Sequence, residues 1–146
     1  MNKVCPISYV QVNERVAQLN AVLVIITMLV FVFTPFKLMI AILAFDFILR
    51  GFINPAYSLY SAISKTIVRS LKIKPLMVNA DPKVFAAKIG FLFSSSIAIT
   101  YFLGYQGISL VLVSILVLFA ALEAIFRFCL ACKIYPYIYR IKKQQE

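Results

Sequence analysis

Long uncharged apolar runs alternate along this chain with short polar and charged stretches, and the runs have the length of membrane crossings. No charged residue interrupts the stretch from Val16 to Phe36. Leu23, Ile25, Leu29, Val30 and Phe31 fall on every side of a helix there, as lipid contact on most sides requires. About 20 apolar residues cover the ~30 Å hydrocarbon layer. On that measure the pattern predicts spans at about 16–36, 38–54, 84–103 and 107–128. Asn13-Glu14-Arg15 is a good helix start, since Asn caps well and Glu suits the first turn. Thr34-Pro35-Phe36-Lys37 predicts a tight turn, with Pro35 stopping the first helix. Gly104-Tyr105-Gln106-Gly107 predicts the turn of a second hairpin. The expected fold is all-α: a polytopic membrane protein, its four-transmembrane-helix bundle made of two hairpins within a single domain, 1–146.

The segment between the hairpins differs in kind. Leu59, Ile63, Ile67 and Leu71 recur every four positions, while Ser58, Ser61, Lys65, Arg69 and Lys72 cover the other faces. This predicts a basic amphipathic helix at about 56–72, too charged to cross and expected to lie in the interface plane. Lys74-Pro75 ends it, and Asn79-Ala80-Asp81-Pro82 reads as an N-cap followed by proline at the first helical position.

Composition agrees with the pattern. The chain has 146 residues, of which 63% are hydrophobic and 14% charged, outside the range of soluble domains. No signal-peptide pattern is expected, because Cys5-Pro6 interrupts the start and a second apolar run follows the first at once. The net charge of +10 is read as an inner-surface bias of Lys and Arg, with no nucleic-acid partner. The short turns carry only Lys37, while the arm, the long loop and the tail carry Lys3, Arg15, Lys65, Arg69, Lys72, Lys74, Lys83, Lys133, Arg140, Lys142 and Lys143. The positive-inside rule then predicts a multi-pass protein of the cell (cytoplasmic) membrane with both termini cytoplasmic. Self-association is left open by the lipid-facing surfaces.

Ionisable residues inside the spans are candidates for function, because a charge in hydrocarbon must find a partner or a polar cavity. Asp46 lies about 15 Å from the Pro35 turn, near mid-membrane, with Arg50 one turn further on. A shift of 77 positions lays Asp46–Arg50 on Glu123–Arg127, so each hairpin ends on an acid four residues ahead of an arginine. This suggests a parallel repeat about an axis along the membrane normal. One reading makes the pairs structural clasps. The other makes Asp46, Arg50, Asn54, Glu123 and Arg127 a polar pocket for substrate or protons.

Three cysteines provide the sharper chemical signal. Cys129 and Cys132 form a Cys-x-x-Cys pair at the end of the last span, and Cys5 precedes the first. With both termini inside, the thiols share a reducing surface where a static disulfide is not expected. Thiol–disulfide or persulfide exchange is the leading reading, with Cys5 as a third thiol. A metal held by Cys5, Cys129 and Cys132 ranks lower, since a chain without histidine leaves a fourth zinc ligand unassigned. Plain packing of small apolar residues is the remaining alternative. The helix C-terminus should raise a thiol pKa, whereas Arg127 and Lys133 oppose that. No cofactor is identified: there is no nucleotide loop or glycine-rich phosphate cradle, and the absence of histidine excludes His-based catalysis.

Cys5-Pro6, Phe45-Asp46-Phe47-x-x-Arg50-Gly51-Phe52, Asn79-Ala80-x-Pro82-Lys83-x-Phe85-Ala86 and Phe128-Cys129-x-x-Cys132-Lys133-x-Tyr135 together resemble a bacterial membrane family. It is the domain-of-unknown-function family whose number reads four-three-nine-five. The resemblance covers nearly the whole chain and implies a small multi-pass protein of the bacterial inner membrane with unassigned function. It also implies association with thioredoxin-like or sulfurtransferase proteins. In outline the chain is similar to the quinone-linked disulfide-forming membrane enzymes, but those place their thiols on the outer side and use a second cysteine pair. The expected function is a thiol-disulfide or sulfur relay linked to a soluble partner. The alternative is a non-catalytic transport or assembly subunit held by intramembrane ion pairs.

Overall fold

The computed structural model of the chain describes residues 11–126 and 130–144. In chain order these form β1 (Gln11–Asn13), α1 (Glu14–Phe33) and α2 (Leu38–Ile48), which runs into a π-helical turn (Leu49–Ile53) and a 3-10 turn (Pro55–Tyr57). There follow α3 (Leu59–Ser70), β2 (Met77–Asn79), α4 (Ala80–Phe102), α5 (Gln106–Phe126) and α6 (Leu130–Gln144). Three of these helices, α1, α4 and α5, are long and apolar enough to cross a membrane. Val22, Ile26 and Leu29 on α1 and Leu110, Val111 and Leu118 on α5 point outward, an arrangement that fits a bilayer and not water. This is a membrane protein.

Local chemistry sets the helix ends. Asn13 Oδ1 accepts from the Arg15 backbone N–H at 3.0 Å, the cap expected at the start of α1. The same oxygen accepts from the Leu76 N–H at 3.2 Å, and the Glu14 N–H donates to the Leu76 carbonyl at 2.8 Å. One capping residue therefore ties the start of the first hairpin to the approach of the second. At the far end α4 stops in a Schellman turn: the Tyr105 N–H reaches the Thr100 carbonyl at 2.9 Å and the Gly104 N–H reaches Tyr101 at 3.1 Å. Gly104 has φ +89°, a conformation that costs a Cβ-bearing residue about 1 kcal/mol or more.

The packing has the pattern of a two-fold repeat. β1 pairs antiparallel with β2, with Val12 opposite Val78 at the centre. α1 packs on α5 as α2 packs on α4, and α3 lies against α1 as α6 lies against α4. Exchanging β1-α1-α2-α3 with β2-α4-α5-α6 leaves this set of seams unchanged. The core sits between the halves, where Met28, Ile40, Leu43 and Ile97 are fully buried. Gly90 of α4 lets the Phe47 ring come close, since a Cβ there would stand 2.6 Å from ring carbon Cε1. Away from the ribbon, Phe31 and Tyr101 meet edge to face at 5.3 Å, and Lys37 Nζ lies over both rings while donating to the Phe31 carbonyl at 2.7 Å.

Three sequence expectations need correction. The ribbon was not foreseen, because two three-residue strands are too short to show an alternating pattern. The second apolar run does not form one long helix: an eleven-residue α2 gives way to a five-residue π turn. Most altered is the segment expected to lie in the interface plane. α3 runs antiparallel along α1, because Tyr60 bonds Thr27 while Ser64 bonds Asn20. Its buried face is mostly polar, Tyr60, Ser61 and Ser64 with Val68, whereas Leu59, Ile63 and Leu71 are exposed. Hydrogen bonds hold this helix to the bundle, and its apolar stripe remains turned outward. The tail is likewise a helix, α6, despite Pro136 inside it.

Candidate functional site

Asp46 is the best-bonded polar side chain of the interior. It is 2% exposed. Its Oδ2 takes a 2.6 Å ion pair from Arg50 Nη2, four residues on, as the spacing predicts. Its Oδ1 accepts from Ser58 Oγ at 2.6 Å and from the Tyr60 backbone N–H at 3.1 Å. Ser58 is also the N-cap of α3 and accepts from the Ser61 N–H at 3.2 Å. Asp46 thus holds the N-terminus of α3, where the helix dipole favours an anion. Next to it the Tyr60 and Thr27 hydroxyls bond at 2.6 Å. Burial pushes the Tyr60 phenol above its ordinary value, outweighing the Thr27 hydrogen bond that acts the other way. It stays neutral throughout the physiological range. The carboxylate has all the partners that a clasp requires.

Arg50 has a second role. Its guanidinium lies 5.1 Å over the Phe47 ring, and its Nε is buried without a hydrogen-bond partner. It reaches the wall of an interior cavity of about 460 Å3. The deep part of that cavity is apolar, walled by Ala21, Val24, Phe47, Gly90, Leu116 and Ala120. Its ribbon end carries Asn20, Arg50, Lys65, Lys83 and Glu123, together with Gln11, Val12 and Ile134. Glu123 Oε1 pairs with Lys83 Nζ at 2.7 Å across α4 and α5. The sequence reading paired Glu123 with Arg127, which lies outside the described residues. Spacing along one helix cannot reveal a partner 40 positions away.

The other expected site residues are placed unequally. Asn54 does not line the cavity: it is exposed, and its Oδ1 accepts from the Ala56 N–H at 2.9 Å in the turn after the π helix. The wide π turn moves it off the face that a continuous α-helix would have shared with Asp46. Cys5 and Cys129 lie outside the described residues. Cys132 falls on the first turn of α6, where its backbone alone is described. Among the described residues no group of three His, Cys, Asp or Glu side chains comes together. Sequence reasoning missed Ser58, Ser64, Asn20 and Thr27 as interior partners. The spacing Ser58-x-x-Ser61-x-x-Ser64 was an available signal, since small polar residues on one helix face are a common way for helices to join in membranes.

α6 closes the ribbon end. Phe85 of α4 and Tyr135 meet at 5.8 Å between ring centroids, and Tyr135 stacks on Tyr139 at 6.5 Å. Burial, then the charge of Asp81 and the neighbouring Tyr139, push the Tyr135 phenol up. Residues 12–140 match a family model described as a domain of unknown function, DUF4395. No curated protein and no solved structure matches the chain.

Proposed function

We propose, from the premise that the chain belongs to the DUF4395 family, a thiol relay at the ribbon end of a four-span membrane bundle. The second apolar run, α2 with its π turn, is the remaining span. The Lys and Arg distribution favours the cytoplasmic side of the cell membrane for the ribbon, the C-terminal end of α3, α6 and both termini. The observation that carries the thiol reading is convergence: Gln11, Val12 and Ile134 line one cavity. Cys132 is two residues before Ile134, and Cys5 is six before Gln11, within about 20 Å of extended chain.

The chemistry needs no bound cofactor. A Cys129 or Cys132 thiolate attacks the outer sulfur of a partner's persulfide, the S–S bond breaks, and the partner leaves as its thiolate. The second cysteine then attacks the inner sulfur, forming the Cys129–Cys132 disulfide and releasing hydrosulfide. A thioredoxin-like dithiol reduces that disulfide and is itself oxidised. Lys65 supplies the positive potential for anionic sulfur, since Arg50 and Lys83 are balanced by Asp46 and Glu123. Glutathione persulfide added to native membranes tests this. The wild-type chain is expected to gain the mass of one sulfur or to form the Cys129–Cys132 disulfide. A C129S/C132S variant should do neither. Equal labelling of that variant, or an unmodified wild type, would remove the thiol reading. The result would then favour the second reading, a non-catalytic transport or assembly subunit, which draws on the complete bonding of Asp46.

A further inference from the structure

The cavity's two ends differ in chemistry, and a second surface feature adjoins the polar one. A groove between the start of α1 and the end of α3 is lined by Lys65, Arg69, Lys72 and Lys74, with no carboxylate on its walls. Asn13, Val16 and Lys65 line both the groove and the cavity, so the two lie side by side. The four cations have no ion-pair partner among the described residues. Lys72 also sits at φ 51°, in the C-terminal turn of α3 where glycine is the unstrained choice. The Ile73 N–H to Val68 and Lys72 N–H to Arg69 bonds close that turn.

We infer that this composite site binds one amphiphile with an anionic oxyanion head and an apolar chain. The head sits among Lys65, Arg69, Lys72 and Lys74, and the chain runs past Val16 into the apolar cavity. The volume of about 460 Å3 falls within the range of small-molecule sites. A basic pocket beside membrane helices is suited to phosphate or carboxylate headgroups. A head without a chain would leave the cavity unused, and a chain without a charged head would leave the cationic cluster self-repelling. This site shares the cavity and Lys65 with the thiol reading, but it needs none of the cysteines.

The test uses the full chain purified in maltoside detergent and dodecyl phosphate as the probe, followed by native mass spectrometry and calorimetry. Saturable binding of one dodecyl phosphate is expected. It should weaken about tenfold or more in K65Q/R69Q, whose exposed side chains are not needed for folding. A120F, which fills the apolar end, should weaken it as well. If A120F fails to fold, K65Q/R69Q decides alone. Dodecanol and inorganic phosphate should each bind far more weakly. A C5S/C129S/C132S variant should bind as wild type does, which keeps this result independent of the relay. Competition by phosphatidylglycerol would identify the occupant as a bilayer lipid, and its absence would identify a free single-chain amphiphile. Equal binding of dodecanol, or no effect of K65Q/R69Q, would overturn the inference.

Discussion

Asp46→Asn is expected to destabilise the protein by about 3 kcal/mol in detergent micelles, read as a shift of the unfolding midpoint by circular dichroism. The amide keeps the shape of the carboxylate but not its charge. It still offers an oxygen to Ser58 and the Tyr60 N–H, yet it turns an NH2 toward Arg50, at present 2.6 Å away. Arg50 is then left in a mostly buried position without a counter-ion, and its Nε already has no partner. Removing one member of a buried pair costs more than the pair contributes, because the other charge stays behind. Asp46→Asn combined with Arg50→Leu should therefore be more stable than Asp46→Asn alone. A variant as stable as wild type would mean that Asp46 is not the clasp holding α3, and would restore a proton-carrying role.

Ile97→Ala is the second large effect, about 3 kcal/mol by the same measurement. Ile97 is 0% exposed and belongs to the core formed where α4 meets α2, with Ile40 and Leu43, also at 0%. In a bilayer, packing rather than escape from water holds such seams, so a void among close-packed side chains loses contacts outright. The two-fold pattern extends the argument to Met28 on α1, whose seam with α5 corresponds to that of α4 with α2. An exposed residue of similar size, Ile26, is expected to tolerate alanine with little change.

These residues also show what was legible in the sequence. The apolar runs gave the helices and their turns, because long uncharged stretches have few alternatives. Asn13 as a cap and the Asp46–Arg50 spacing were local features, and both are found in the structure. Features that depend on distant partners were not readable. Glu123 finds Lys83, Ser64 finds Asn20, and Tyr60 finds Thr27, all across helices whose mutual register no single stretch encodes. α3 illustrates the limit most clearly. Its amphipathic pattern is present, but its charge led to the expectation that it lies in the interface plane. Inside a membrane protein the polar stripe can instead be the adhesive one. The π turn had no sequence signal beyond Gly51 near Asn54-Pro55, and it displaced Asn54 from the predicted pocket.

Convergence of the thiols at the ribbon end remains the step on which the functional reading turns, and it can be measured without knowing any substrate. Native membranes carrying the full chain are treated with a short bis-maleimide, and cross-linked peptides within single chains are identified by mass spectrometry. Links joining Cys5 to Cys129 or Cys132 are the expected result. Three thiols that each react with N-ethylmaleimide yet never cross-link within one chain would contradict it.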